Sequence, residues 1–192
     1  MGRPREFDET TALDGAVQCF WQHGFAATSV RDLAAGMGIS STSLYNAFGD
    51  KRAVFRQALE RYLDRSMRAR IARHEGSRPP KAAIRGFVEE IIRTSLDGER
   101  RGCLLVNAAL EIAPHDAELG AVIAERLGEL EAFFRRCVTA GQRDGSIAAG
   151  RDPGELARLL LGVVLGIRVL ARAKPQRELL EGVARPALAL LE

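Results

Sequence analysis

Residues 28–51 read Thr-Ser-Val-Arg-Asp-Leu-Ala-Ala-Gly-Met-Gly-Ile-Ser-Ser-Thr-Ser-Leu-Tyr-Asn-Ala-Phe-Gly-Asp-Lys. Ser29 suits a helix N-cap, because its hydroxyl accepts a backbone N–H that the first turn leaves unpaired. The helix it opens, 30–37, turns Val30, Leu33 and Ala34 inward. Gly38 falls where the chain needs a left-handed residue to reverse. Ser40 caps a second short helix, 41–48, with Leu44 and Phe48 spaced i, i+4 toward the core. Two short helices joined by a glycine-containing turn have the geometry of a helix-turn-helix, whose second helix reads the DNA major groove. A hairpin of purely structural purpose has the same spacing, so geometry alone leaves both readings open.

Outward from this stretch every apolar pattern has the helical period. Leu13, Ala16, Val17, Phe20 and Trp21 form one stripe between Asp8 and Gly24, and Val54, Phe55, Ala58, Leu59, Tyr62, Leu63 and Met67 form another after Asp50. Residues 74–80 read as a loop, followed by helices over 84–96, 103–113, 116–141 and 153–173 and a last one through Leu179 and Leu191. Asp152-Pro153-Gly154-Glu155 is an N-cap, a proline at the first helical position and a capping-box glutamate. No strand-type alternation of useful length occurs, so the predicted class is all-α.

The 192 residues are 46% hydrophobic and 28% charged, which excludes disorder as the main description. The longest apolar run, 159–167, is bracketed by Arg158 and Arg168, too short for a membrane span. The basic start, Arg3-Pro4-Arg5-Glu6, lacks the apolar stretch of a secretory signal, so the expected location is cytoplasmic. Three scattered cysteines (Cys19, Cys103, Cys137) and three histidines give no metal-ligand spacing, and no cofactor is predicted. Residues 51–73 carry eight basic against two acidic groups, while 1–50 carry three against six and the remainder balances. That gradient hints at an anionic partner. A solvated face is the ordinary explanation for the run Arg56 to Arg73.

The segment Val30-Arg31-Asp32-Leu33-Ala34, then Gly38-Ile39-Ser40, then Ser43-Leu44-Tyr45-Asn46-Ala47-Phe48-Gly49-Asp50-Lys51, with His23-Gly24-Phe25 and Thr28 before it, resembles the TetR family of bacterial regulators across about 50 residues. The resemblance implies an N-terminal three-helix helix-turn-helix DNA-binding domain (1–52), a connecting helix (53–73) and a C-terminal helical ligand-binding and dimerisation domain (74–192). It implies that 41–47 is the recognition helix. Ser41, Thr42 and Ser43 would then face base edges. Tyr45 and Asn46 would project from its exposed side, to a phosphate and to adenine; half-buried packing is the other reading of Tyr45. Thr28, Ser29 and Lys51 sit at helix starts suited to phosphate. Arg3 and Arg5 belong to an arm that either reaches DNA or stays solvated. The recognition helix has no Lys or Arg before Lys51, which predicts a shallow salt dependence.

Candidate liners of an effector cavity are Phe87, Ile91, Cys103, Asn107, Leu110, Phe133, Phe134 and Cys137, residues of a kind more often found in a core than on a ligand, with Glu111 and His115 either a polar end of the pocket or simply surface residues next to Pro114. Leu159, Gly162, Val163, Gly166, Leu180 and Val183 are candidate dimer contacts, because the helix after Asp152 is too apolar for a surface helix. The predicted function is a ligand-responsive transcriptional regulator, a repressor by family habit. It would bind a pseudo-palindromic double-stranded DNA operator as a homodimer and be released by a small-molecule effector. Two alternatives stand beside it: a thiol switch sensing electrophiles or oxidants through Cys103, which follows Arg100-Arg101-Gly102 near a helix start, and a non-regulatory small-molecule-binding bundle. Cys103 with His115 is too sparse a set for an enzyme.

Overall fold

A computed structural model describes residues 7–97 and 101–192. The chain order is α1 (Glu9–His23), α2 (Val30–Gly36), α3 (Ser41–Phe48), α4 (Lys51–Leu63), a π-helical turn (Asp64–Arg68), α5 (Ala69–Glu75), α6 (Pro80–Leu96), α7 (Leu104–Glu111), α8 (Ala117–Arg143), α9 (Pro153–Ala173) and α10 (Arg177–Ala189). The described residues contain no strand. Arg3 and Arg5 lie outside them.

Local chemistry sets the N-terminal boundaries. Asp8 caps α1 by accepting from Thr11 N–H at 2.6 Å, Ser40 caps α3 through Ser43 N–H at 3.0 Å, and Asp50 caps α4 through Ala53 N–H at 2.8 Å. α2 begins with a reciprocal capping box between Ser29 and Asp32. Gly38 reverses the chain at φ 69°. α1 and α2 meet at Gly15 and Gly36: a Cβ on Gly15 would stand 2.1 Å from the Gly36 carbonyl oxygen, and one on Gly36 would stand 2.2 Å from Cys19 Sγ. Only glycine permits that approach.

Phe20, Leu33, Leu44, Phe48, Val54 and Phe55 fill the N-terminal core, with the Phe20 and Phe25 rings packed on Phe55 at 5.2 and 5.3 Å. The start of the long helix therefore belongs to this core as well as to the connection. That helix is not regular. At Asp64–Arg68 it widens into a π turn, where Ala69 N–H bonds to Asp64 O. Ser66 supplies a cause: its hydroxyl donates at 2.6 Å to Tyr62 O, competing for the carbonyl that an α-helical bond would use.

The basic run is consumed inside the molecule. Arg61 and Arg65 hold Asp14 of α1, Arg52 holds Asp116 and Glu118, Arg56 holds Glu118, Arg68 holds Glu60, Asp64 and Glu129, and Arg70 and Arg73 reach Glu90. The positive excess over 51–73 thus ties the helices to one another, while Arg52, Arg56, Arg65 and Arg73 stay 45–61% exposed and keep a solvated face. In the C-terminal part, α6, α8 and α9 pack around Phe87, Phe133 and Phe134, whose rings lie 5.0–5.5 Å apart. α9 starts as expected, with Asp152 accepting from Glu155 N–H at 2.8 Å and Pro153 at its first position. No helix among the described residues is long and apolar enough to cross a membrane.

Candidate nucleic-acid interface and interior cavity

Leu44 and Phe48 anchor α3 in the core, and the opposite face is left to solvent. On that face the side chains of Ser41, Thr42, Tyr45 (53% exposed) and Asn46 form no hydrogen bond with any described residue. Their hydroxyl and amide groups are the unused polar atoms of the recognition helix. Tyr45 is therefore not a packing residue. Ser43 is half-buried and shares its hydroxyl with Ser40 at 2.9 Å, so it is less available than its two predecessors.

Three expected phosphate contacts are otherwise engaged. Thr28 is 1% exposed and its hydroxyl donates to Gly24 O at 2.6 Å, fastening the end of α1. Ser29 is exposed, but its hydroxyl serves the capping box, accepting Asp32 N–H and donating to Asp32 Oδ2 at 2.5 Å. Lys51 lies over the Phe25 ring at 4.5 Å, with Nζ 3.4 Å from Ala26 O, and burial lowers its pKa against the opposing pull of Glu111. It braces the turn before α2. Arg31, absent from the predicted contacts, is exposed on the first turn of α2 with no ion pair to a described residue. Its position two residues beyond a helix-turn-helix N-cap was the available signal, since the first helix crosses the DNA backbone.

Glu111, expected at a pocket, instead reaches the DNA-reading part. Its carboxylate accepts the backbone N–H groups of Phe25 at 3.1 Å and Ala26 at 2.7 Å. At the other end of the same helix, Trp21 of α1 donates its indole N–H to Gly102 O at 3.1 Å. α7 is thus fastened to the N-terminal helices at both ends. His115 is exposed beyond its C-terminus, a helix length from Cys103, so these two residues form no joint site.

Between α1, α4, the π turn, α5, α6 and α9 lies a partly open cavity of about 380 Å³, lined by Trp21, Tyr62, Ser66, Arg70, Thr94, Ser95, Arg101, Gly102, Arg168, Ala171 and Arg172. A narrower apolar recess of about 40 Å³ shares Tyr62, Ser66, Arg70 and Arg168 with it and is walled by Met67, Phe87, Ile91, Cys103, Leu105 and Val164, among others. Of the expected liners, Phe87, Ile91 and Cys103 are here. Phe133, Phe134 and Cys137 line neither space and are core residues, at most 4% exposed. Leu110 is 68% exposed, on the outer face of α7. The Asn107 amide is satisfied within the chain, accepting from Arg172 at 2.9 Å and donating to Arg101 O at 3.0 Å. Trp21, Tyr62 and Arg70 precede residue 74, outside the segment whose sequence suggests a cavity, and Arg168 reads in sequence only as the charged end of the apolar run 159–167.

The thiols give a redox switch no support. All three cysteines are free, and burial raises the pKa of Cys19 and pushes that of Cys137 up to about 11. Cys103 Sγ receives the Tyr62 hydroxyl at 3.6 Å. Of the expected dimer contacts, Leu180 is fully buried in its own chain and is a core residue. Leu159 is exposed, as are Val169 and Gly162, while Val163, Gly166 and Val183 are half-buried. A Cβ on Gly162, Gly166 or Gly182 would meet nothing within 4 Å. That face is open.

A helix-turn-helix with a solvent-facing, polar recognition helix, set on a helical bundle that carries a partly open cavity, defines a DNA-binding transcriptional regulator. The family signature "Bacterial regulatory proteins, tetR family" matches residues 12–58, and "Tetracyclin repressor-like, C-terminal domain" matches residues 80–186. The chain belongs to the TetR family. It is 31% identical to the uncharacterized HTH-type transcriptional regulator YezE of Bacillus subtilis (strain 168), over 100% of both chains. It is also 31% identical to the HTH-type transcriptional repressor ComR of Escherichia coli (strain K12), over 98% of this chain and 91% of that one. Among solved structures, a cysteine mutant of the TetR family regulator CifR complexed with 26-bp double-strand operator DNA superposes with a TM-score of 0.87 at 35% identity, covering 100% of each chain.

Proposed function

We propose that the chain is a cytoplasmic, homodimeric, non-catalytic repressor whose hold on its operator is released by a small molecule in the interior cavity. The observation that carries this reading is the double fastening of α7, through Gly102 to Trp21 beside the cavity and through Glu111 to Phe25 and Ala26 beside the recognition unit. A ligand that favours a different placement of α7 changes the placement of α2 and α3. To release DNA it must bind that conformer more tightly than the DNA-competent one. Ser41, Thr42, Tyr45 and Asn46 are the base and phosphate contacts, with Arg31 as a further phosphate contact. Leu159, Gly162, Val163, Gly166, Val169 and Val183 are the face on which the second copy packs, and two copies require a pseudo-palindromic operator.

Fluorescence anisotropy on DNA from around the protein's own gene tests the reading. Tight binding to one palindromic segment, lost in Tyr45→Ala and in Thr42→Ala, is the expected result. Sequence-blind binding unaffected by either substitution would overturn it.

A further inference from the structure

The cavity wall is electrostatically one-sided. Among the described residues, Arg70, Arg101, Arg168 and Arg172 contribute to it and no Asp or Glu does. The nearest counter-charge is Glu90, behind the wall. It lies 3.2 Å from Arg70, an ion pair whose geometry falls short of a hydrogen bond, and it also serves Arg73 at 2.8 Å and His74 at 2.7 Å. Burial alone would raise the Glu90 carboxyl, but the His74 bond and the charges of Arg70 and Arg73 outweigh it and hold the pKa down to about 2. One fixed negative charge therefore answers three basic groups. Arg168 has Ser95 Oγ, at 3.0 Å, as its described partner, and Arg172 has the Asn107 amide. No carboxylate among the described residues lies within 4.0 Å of either guanidinium.

Arg70 is 8% exposed and its Nε has no hydrogen-bond acceptor. Burial and the neighbouring Arg168 both act against its charge. A buried cation without a full partner is costly, and the cost is recovered when an anion arrives with acceptor atoms. Ser95, which accepts from Arg168, keeps its own O–H as a donor toward the same space. Next to this cationic zone the apolar recess opens between Tyr62 and Ser66. At about 380 Å³ the main space is of small-molecule size.

We propose that the cavity takes an amphiphilic organic anion, with a carboxylate or phosphate head on Arg70, Arg168 and Arg172 and a short apolar body directed between Tyr62 and Met67. This names the class of the effector and rests on the reading of the cavity as the effector site. A cationic ligand would face three guanidinium groups, and a neutral one would leave Arg168 and Arg172 with neutral partners alone among the described residues.

Trp21 is the one tryptophan of the chain and lines the cavity, so its emission reports occupancy directly. The probes are octanoate, octyl phosphate, octanol and octylamine. The expected result is saturable quenching or shift by octanoate or octyl phosphate, with the tighter of the two identifying the head group. Octanol should bind about tenfold more weakly or worse, the scale of a lost charge-assisted hydrogen bond, and octylamine not at all. Arg168→Gln and Arg172→Gln should each weaken the preferred anion by about the same factor, with folding checked by circular dichroism. Octanol binding as well as the anions, anion binding indifferent to both substitutions, or no response to either anion would each overturn the proposal. Operator anisotropy with the preferred anion separates the two readings. Anion-driven DNA release supports both, whereas arginine-dependent anion binding with operator affinity unchanged overturns the cavity as an effector site.

Discussion

Glu111 accepts the backbone N–H of Ala26 at 2.7 Å, across 85 positions of sequence, and so joins the helix beside the cavity to the turn that launches α2. In Glu111→Ala two backbone donors, those of Phe25 and Ala26, lose their acceptor. The expected loss is about 1–2 kcal/mol in stability, since water reaches the partly exposed site. More telling is the coupling: the ratio of operator affinities with and without effector should shrink toward one. Anisotropy titrations of the variant at saturating ligand measure it, and an unchanged ratio refutes the transmission route.

The recognition helix should separate function from stability. Thr42→Ala, Tyr45→Phe and Asn46→Ala change exposed groups without described partners, so melting should shift by no more than about 0.5 kcal/mol while operator affinity falls about tenfold or more. Thr28→Val should behave in the opposite sense, costing about 1–2 kcal/mol of stability through loss of the bond to Gly24 O, with its effect on DNA following from unfolding.

Gly15→Ala should be among the most damaging small substitutions. The new methyl would lie 2.1 Å from the Gly36 carbonyl oxygen, between two backbones that have no flexible side chain to yield. A loss of about 1–3 kcal/mol is expected from such overpacking, read by chemical denaturation. Ala at the open Gly162 position should by contrast leave the protomer's fold intact.

Acid sensitivity follows from Glu90. Its pKa in the folded chain is about 2, below the ordinary 4.5, so its ionised form stabilises the fold. That contribution, on the order of 2–3 kcal/mol, is fully present above pH 4.5 and is lost as pH falls from there toward 2. Glu90→Gln should be less stable at neutral pH and should lack this part of the acid slope. Thermal melts at a series of pH values decide it.

Val169→Asp tests the open face. Val169 is 46% exposed in the single chain, so a carboxylate there disturbs little within the protomer, yet it would be buried in a paired face of α9. Light scattering should show monomers, with operator affinity lowered in parallel.

The helix-turn-helix was legible because its determinants are local: Ser29, Ser40 and Asp50 as caps, Gly38 as the turn, Leu44 and Phe48 one helical turn apart. Asp152 and Pro153 announced α9 in the same way. The cavity was not legible, since Trp21, Tyr62, Arg70 and Arg168 converge from helices far apart in sequence, and no spacing rule connects them. Nor was the π turn, which carries neither glycine nor proline and rests on one side-chain hydroxyl. Thr28 and Glu111 misled for a shared reason: their type suited the predicted role, but a neighbouring backbone group had already claimed them.

The internal use of the arginines has a consequence for how such a regulator searches a genome. Most of the cations of residues 51–73 are paired with Asp14, Glu60, Glu90, Glu118 and Glu129, and the exposed face of α3 carries none. On the proposed function, attraction to arbitrary phosphate, the usual source of dwell time on non-cognate DNA, is expected to be correspondingly weak and to show as a shallow salt dependence. Few molecules are then titrated away by the bulk chromosome, and occupancy of the cognate site depends on hydroxyl and amide contacts that only the right sequence completes. On that reading selectivity comes from withholding charge.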